Sequence, residues 1–264
     1  MTQHSRLRGA RPSEALVSFT APASLEADQY RGMRHLVERM NRDSNVQVFA
    51  MTSPGSGEGK TVTTLNLAGS LAQSADTRVL VIDADLHRPS VAKYLGMDEY
   101  QAPGLVELIA RDDFGLDDAV DRIDGLNLSV LPSGQYQAGA YELLNSRKLD
   151  TIIEEARRQF DYVLIDTPPL MPLPDCRLIG RSVDGYFLVV AAHRTPRKAL
   201  AEALTLIDRT KLIGMIFNGD DQPLQRYSAY YAYSQPVGAA PRPDDRPAWW
   251  RKPFRTAASA RPPA

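Results

Sequence analysis

Six runs of consecutive apolar residues, rich in β-branched side chains, recur along the chain: VQVFAM (46–51), RVLVID (78–83), NLSVLP (127–132), DYVLID (161–166), YFLVVA (186–191) and LIGMIF (212–217). Between them lie longer polar stretches whose apolar positions return at helical spacing, as at Leu65, Ala68 and Ala72. A strand that is apolar on consecutive positions has both of its faces covered. Such strands alternating with helices predict an α/β fold: a mostly parallel, doubly wound sheet with helices on both faces, in a single domain, holding ligands beyond the carboxyl ends of the strands. No internal repeat is evident. Residues 1–20 and 235–264, the latter rich in Pro, Ala and Arg, carry little to bury and are expected to be disordered. That leaves a domain over 21–226 and a tyrosine-rich segment over 227–234.

The stretch MTSPGSGEGKTVTTLNLA (51–68) joins the first apolar run to a helical pattern, with Gly55, Gly57 and Gly59 on alternate positions ahead of Lys60 and Thr61. Glycines there let successive backbone amides curl around an anion, and the N-terminus of the following helix adds N–H groups without intrahelical partners. The segment reads as the phosphate-binding loop of a P-loop NTPase (Walker A), apart from Pro54 where the strict pattern has glycine. In this reading Gly55, Ser56, Gly57, Glu58, Gly59, Lys60, Thr61 and Val62 bind ATP. The amides of 55–61 and the Lys60 ammonium take the phosphates, and the Thr61 hydroxyl is suited to Mg²⁺.

Two other runs end in carboxylates where a magnesium site would want them. VLVIDADLHRPS places Asp83 and Asp85 two apart, on one side of an extended strand, and DYVLIDTPP ends in Asp166, the position of a Walker B aspartate. A lone strand-end aspartate also caps turns. All three motifs in this order point to Thr61, Asp83 and Asp166 as metal ligands and to Lys60, Asp83 and Asp85 as catalytic groups. One of Asp83 and Asp85 assists the metal while the other orients or deprotonates an incoming hydroxyl. Asn218, after the last run, resembles in position the asparagine with which the wider superfamily of such ATPases reads the adenine edge, although a turn-forming asparagine explains it equally well.

Composition changes this picture little. With 264 residues, 43% apolar content and a net charge of -1, the chain can bury one sizeable core and has no global charge bias toward nucleic acid. Its single cysteine, Cys176, rules out an intrachain disulfide and a cysteine-rich metal site. The N-terminal stretch lacks the apolar segment of a signal peptide, and no run approaches the ~20 residues of a membrane span, so a cytoplasmic location is expected.

The order SPGSGEGKT, VIDADLHRP, DYVLIDTPP resembles the bacterial tyrosine autokinases of capsule and exopolysaccharide export, which combine Walker A, a second aspartate motif (Walker A′) and Walker B. The resemblance extends from about Leu16 to Tyr233. It includes DQYRGMR (28–34), similar to the family's subunit-contact motif, here Asp28, Arg31 and Arg34, and the tyrosines of RYSAYYAY. The cell-division and chromosome-partition ATPases share the motif order, but their loops carry a signature lysine where this chain has Gly55. An ATPase switch of that kind, positioning partner proteins without tyrosine phosphorylation, is the alternative reading.

The resemblance implies autophosphorylation in trans at Tyr227, Tyr230, Tyr231 and Tyr233, and a role in regulating polysaccharide polymerisation and export. It implies ATP and Mg²⁺ as cofactors and ring-like self-assembly. The implied partners are a transmembrane chain-length regulator, which would hold the protein at the inner face of the membrane, and a tyrosine phosphatase, with no nucleic acid. Three departures stand out: His87 where an arginine is usual, Asp28 for the usual glutamate, and AGAYELL (138–144), of which Glu142, Leu143 and Leu144 keep the family's pattern. The tail AWWRKPFR (248–255) suits an anionic membrane surface or an acidic partner, or serves as spacer.

Overall fold

A computed structural model describes residues 6–7, 11–97, 103–135, 139–172 and 175–220. The expectations placed on the tyrosine cluster and the tail fall outside these residues. In chain order the strands are β1 (Arg6–Leu7), β2 (Val48–Thr52), β3 (Val79–Asp83), β4 (Asp121–Ile123), β5 (Leu128–Leu131), β6 (Tyr162–Asp166), β7 (Gly185–Ala191) and β8 (Leu212–Asn218). The helices are α1 (Val17–Thr20), α2 (Leu25–Ser44), α3 (Lys60–Leu71), α4 (Val91–Tyr94), α5 (Leu105–Ala110), α6 (Leu116–Ala119), α7 (Ala140–Leu144), α8 (Arg147–Gln159), α9 (Asp175–Ile179) and α10 (Arg197–Leu206).

The strands form one sheet in the order β1-β4-β5-β3-β6-β2-β7-β8, parallel throughout except for the antiparallel β4–β5 pair. Each of the six runs read as strands is one. β1 and β4 went unread because strands of two and three residues are too short to show a period. Every residue of β2, β3, β5, β6 and β7 is buried, as a sheet covered on both faces requires. One core, including Ile82, Ile152, Ile153 and Ile165, packs under α5–α10; the other, including Phe49, Met51, Leu65 and Leu164, packs under α2 and α3.

Helix ends follow local chemistry. Ser24 caps α2 by accepting from the Ala27 N–H at 3.1 Å, and Asn45 closes it in the left-handed conformation. α8 buries Leu149, Ile152, Ile153 and Ala156, an i, i+3, i+4, i+7 stripe. α3 differs: its N-cap is Gly59 in the left-handed region and no side chain caps it. Its first turn is therefore open to an anion.

The expected disorder over 1–20 is corrected for residues 11–20. Leu16 is completely buried, and the Phe19 ring lies so close over Gly69 of α3 that a Cβ there would overlap it. Asn66 of α3 fixes this segment further, accepting from the Ser18 N–H at 2.9 Å and donating to the Ala15 carbonyl at 3.0 Å. Few apolar residues suffice because Phe19 packs on the bare backbone of Gly69 and Asn66 satisfies backbone groups of the segment, and polar composition alone does not reveal such pairing.

Candidate functional site

Parallel strands bring their carboxyl ends to one edge, and three adjacent strands, β3, β6 and β2, deliver Asp83, Asp166 and the loop 53–59 there. Asp83 and Asp166 are register partners across β3 and β6. The loop opens its turns with Gly57 and Gly59 at φ values of 79° and 87°, a region costly for residues with a Cβ. Gly59 is doubly constrained, since a Cβ there would also overlap the side-chain amide of Asn218.

Lys60, the first residue of α3, bonds Asp85 Oδ2 at 2.9 Å, and its Nζ lies 3.6 Å from Asp166 Oδ1. The Thr61 hydroxyl donates to Asp166 Oδ2 at 2.6 Å and meets the Ser90 hydroxyl at 3.1 Å. Asp83 is held by backbone: Oδ2 accepts from the N–H groups of Ser90 (2.9 Å) and Val91 (3.0 Å), and Oδ1 from that of Asp85 (3.2 Å). Asp85 Oδ1 accepts from the Arg88 N–H at 3.1 Å. The structure thus brings Lys60, Thr61, Asp83, Asp85 and Asp166 into one cluster.

Its electrostatics are those of a site short of positive charge. Burial raises the Asp83 carboxyl well above the usual range, and the neighbouring Asp166 charge adds to it. Burial likewise raises Asp166, against the pull of Lys60 and the Thr61 hydroxyl. Burial disfavours the Lys60 ammonium, but the charges of Asp166 and Asp85 outweigh that and hold its pKa above the ordinary lysine value. Asp166 Oδ1 is fully buried without a hydrogen bond. An unbonded carboxylate oxygen beside a second buried carboxylate suits a divalent cation. Among the described residues no cluster of three or more His, Cys, Asp or Glu side chains could hold a metal alone.

The other residues singled out from sequence lie around this cluster. Asn218 ends β8 and donates from Nδ2 to the Glu58 carbonyl at 3.0 Å, leaving Oδ1 as an acceptor. The Gly55 N–H is directed at Glu58 Oε1 (3.2 Å). Asp28, Arg31 and Arg34 lie on α2, where Arg31 pairs with Asp28 and Arg34 with Glu38 (2.6 Å) and the Ser70 carbonyl (3.1 Å). Sequence reading assigned no role to Ser90 and saw Arg88 only as a charge next to His87. Ser90 joins Thr61 to the Asp83 loop, and Arg88 Nη1 lies 3.5 Å from the Ser56 hydroxyl. Their place directly after the second aspartate motif is the signal that could have found them. Cys176 is buried, with its sulfur 3.4 Å from the Thr167 hydroxyl behind Asp166. No described helix is long and apolar enough to cross a membrane.

Residues 46–193 match the family model described as an AAA domain. The chain is 32% identical over 228 residues to the tyrosine-protein kinase YwqD of Bacillus subtilis (strain 168), which spans 86% of this chain and 94% of that protein. It is 33% identical over 194 residues to the tyrosine-protein kinase CpsD of Streptococcus agalactiae, spanning 72% of this chain and 82% of that one. Among solved structures, the kinase domain of the Escherichia coli tyrosine kinase ETK superposes with a TM-score of 0.72 at 26% identity, covering 81% of this chain and 84% of that domain.

Proposed function

The chain belongs to the bacterial tyrosine-protein kinases of capsule and exopolysaccharide biosynthesis, and from that premise we propose that it transfers the γ-phosphoryl group of ATP to tyrosines 227, 230, 231 and 233 of a neighbouring copy. The observation that carries this reading is the convergence of Lys60, Thr61, Asp85 and Asp166 beside an uncapped helix N-terminus. Mg²⁺, held by Thr61, Asp83 and Asp166, supplies charge neutralisation at the phosphates when bound.

The chain's own residues do the rest. Amides of the 56–61 loop cradle the phosphate oxygens, and Lys60 exchanges the Asp85 carboxylate for them as ATP enters. That exchange frees Asp85 Oδ2. Asp83, with its oxygens engaged by three backbone N–H groups, stays a fixed anchor, so the acceptor for the tyrosine proton is Asp85. The phenol oxygen forms a bond to the γ-phosphorus, the bond to the β,γ-bridging oxygen breaks, ADP departs with that electron pair, and the phenol proton passes to Asp85. Asn218 Oδ1 is free to accept from the adenine amino group.

Each phosphate added to the cluster brings about -1.5 to -2 charges, enough to loosen contacts between copies and so switch assembly. The role in polysaccharide export, the transmembrane chain-length regulator as activating partner, and a tyrosine phosphatase that resets the cluster are part of the same proposal.

Purified protein incubated with ATP and Mg²⁺ should react with anti-phosphotyrosine antibody. The signal should vanish in Lys60→Met and in the variant with all four tyrosines changed to Phe. ATP turnover without any phosphotyrosine would favour the ATPase-switch alternative and reject this one.

A further inference from the structure

The phosphate loop contains a carboxylate, Glu58, amid groups that would meet a polyanion. A free carboxylate there would repel phosphates, yet Glu58 is 7% exposed and its oxygens face elsewhere. Oε1 accepts from the Gly55 N–H at 3.2 Å, within the loop. Oε2 accepts from the Ala191 N–H at the end of β7 (2.6 Å) and from the Thr195 hydroxyl, 137 residues away in sequence. The backbone joins in from the other side. The Glu58 carbonyl accepts from Asn218 Nδ2 at the end of β8, and the Ala192 N–H in turn bonds the Asn218 carbonyl at 2.8 Å. His193, with φ of 59°, closes the turn by pairing with Asp220 at 3.2 Å.

The geometry points to Glu58 as a positioning residue: its carboxylate clamps the phosphate loop to the 191–195 turn and the end of β8, fixing the loop in its ATP-receiving shape before ATP arrives. The inference rests on the nucleotide-site reading above and gives a side-chain role to a residue assigned there only for its place in the loop. A loop with two left-handed glycines is costly to order, and every degree of freedom removed beforehand is one that binding need not freeze. The clamp also turns the one negative side chain of the loop away from the phosphates. Because both oxygens accept from backbone N–H groups, glutamine is a poor substitute: in either orientation its NH₂ faces an N–H donor, at Gly55 or at Ala191.

Two readouts separate the clamp from the nucleotide reading. In nucleotide-free full-length protein, hydrogen exchange at the Ala191 and Gly55 amides should accelerate at least tenfold in Glu58→Ala, and at one of the two amides in Glu58→Gln, with exchange in β3 and β6 unchanged. Titration with ATP and Mg²⁺ should show affinity reduced about tenfold in Glu58→Ala and less in Glu58→Gln. KM for ATP should rise more than kcat falls, and Thr195→Val should give a smaller change in the same direction. Wild-type exchange rates in Glu58→Ala overturn the clamp, as does a faster-exchanging loop that binds ATP with unchanged affinity. A wild-type chain that takes up no ATP overturns the nucleotide reading itself, and the role assigned to the clamp with it.

Discussion

At the scale of single residues, the two aspartates of the second motif have the same side chain and different surroundings. Asp83 is engaged by three backbone N–H groups, whereas Asp85 holds Lys60, which in the proposal turns to the phosphates when ATP enters. Their substitutions should separate accordingly. Asp85→Asn keeps the shape and loses the proton acceptor, so kcat should fall by roughly 10²- to 10⁴-fold with ATP affinity nearly intact. Asp83→Asn removes a proposed metal ligand and puts an NH₂ group against backbone donors, so it should weaken Mg²⁺-dependent ATP binding itself. Steady-state kinetics with direct ATP titration would check both. Equal effects of the two on affinity would mean that the roles are not divided this way. These residues were legible in the sequence because each motif is contiguous and its chemistry demands particular side chains. Ser90 and the carboxylate of Glu58 were not, because their partners are assigned by folding: Thr61 is 29 positions from Ser90, and Ala191 is 133 from Glu58.

At the scale of elements, the six apolar runs announced the strands that matter, since a parallel sheet buried on both faces leaves no ambiguity of period. Less legible were the joints between elements. At the amino ends of β2 and β7, Asp184 accepts from the Gln47 and Val48 N–H groups, each at 2.8 Å, and from both Arg157 terminal nitrogens at 2.8 and 3.0 Å. Burial pushes this carboxyl up, but Arg157 and the two amides outweigh it and hold the pKa below the usual range. A depressed carboxylate contributes its stability above the unfolded value of about 3.9 and loses it as pH falls through the lower folded value. Asp184→Asn should therefore cost about 1–3 kcal/mol at pH 7, and its difference from wild type should shrink below about pH 4, as read from denaturant melts across pH. A constant difference down to pH 2 would show that the ionised form is not what joins these strands.

At the scale of the whole molecule, assembly and chemistry are coupled in the proposal, because the acceptor tyrosines belong to a neighbouring copy. The α2 motif read as a subunit contact makes local pairs within one chain, Arg31 with Asp28 and Arg34 with Glu38. Arg31 is half-buried and also donates to the Pro22 carbonyl, and partly solvated pairs of this kind contribute on the order of 1 kcal/mol, so a carboxylate from a neighbouring copy could compete for its guanidinium. Arg31→Ala should leave the melting temperature of the monomer within a few degrees of wild type while reducing self-association in ATP and Mg²⁺, as measured by light scattering. Undiminished assembly in that variant would move the contact away from α2. The mostly parallel sheet followed from the chain's pattern; the packing of 11–20 onto α3 did not, because it depends on the space left by Gly69.

In the proposed mechanism, amides of the phosphate loop, Lys60 and the buried carboxylates together grip magnesium-bound ATP. Calorimetric titration of ATP into the full-length chain with Mg²⁺ present tests it most directly. Uptake should be saturable at one ATP per chain, abolished in Lys60→Met and strongly weakened when EDTA removes the metal. No heat of binding in the folded wild-type protein, or identical binding in Lys60→Met, would contradict it.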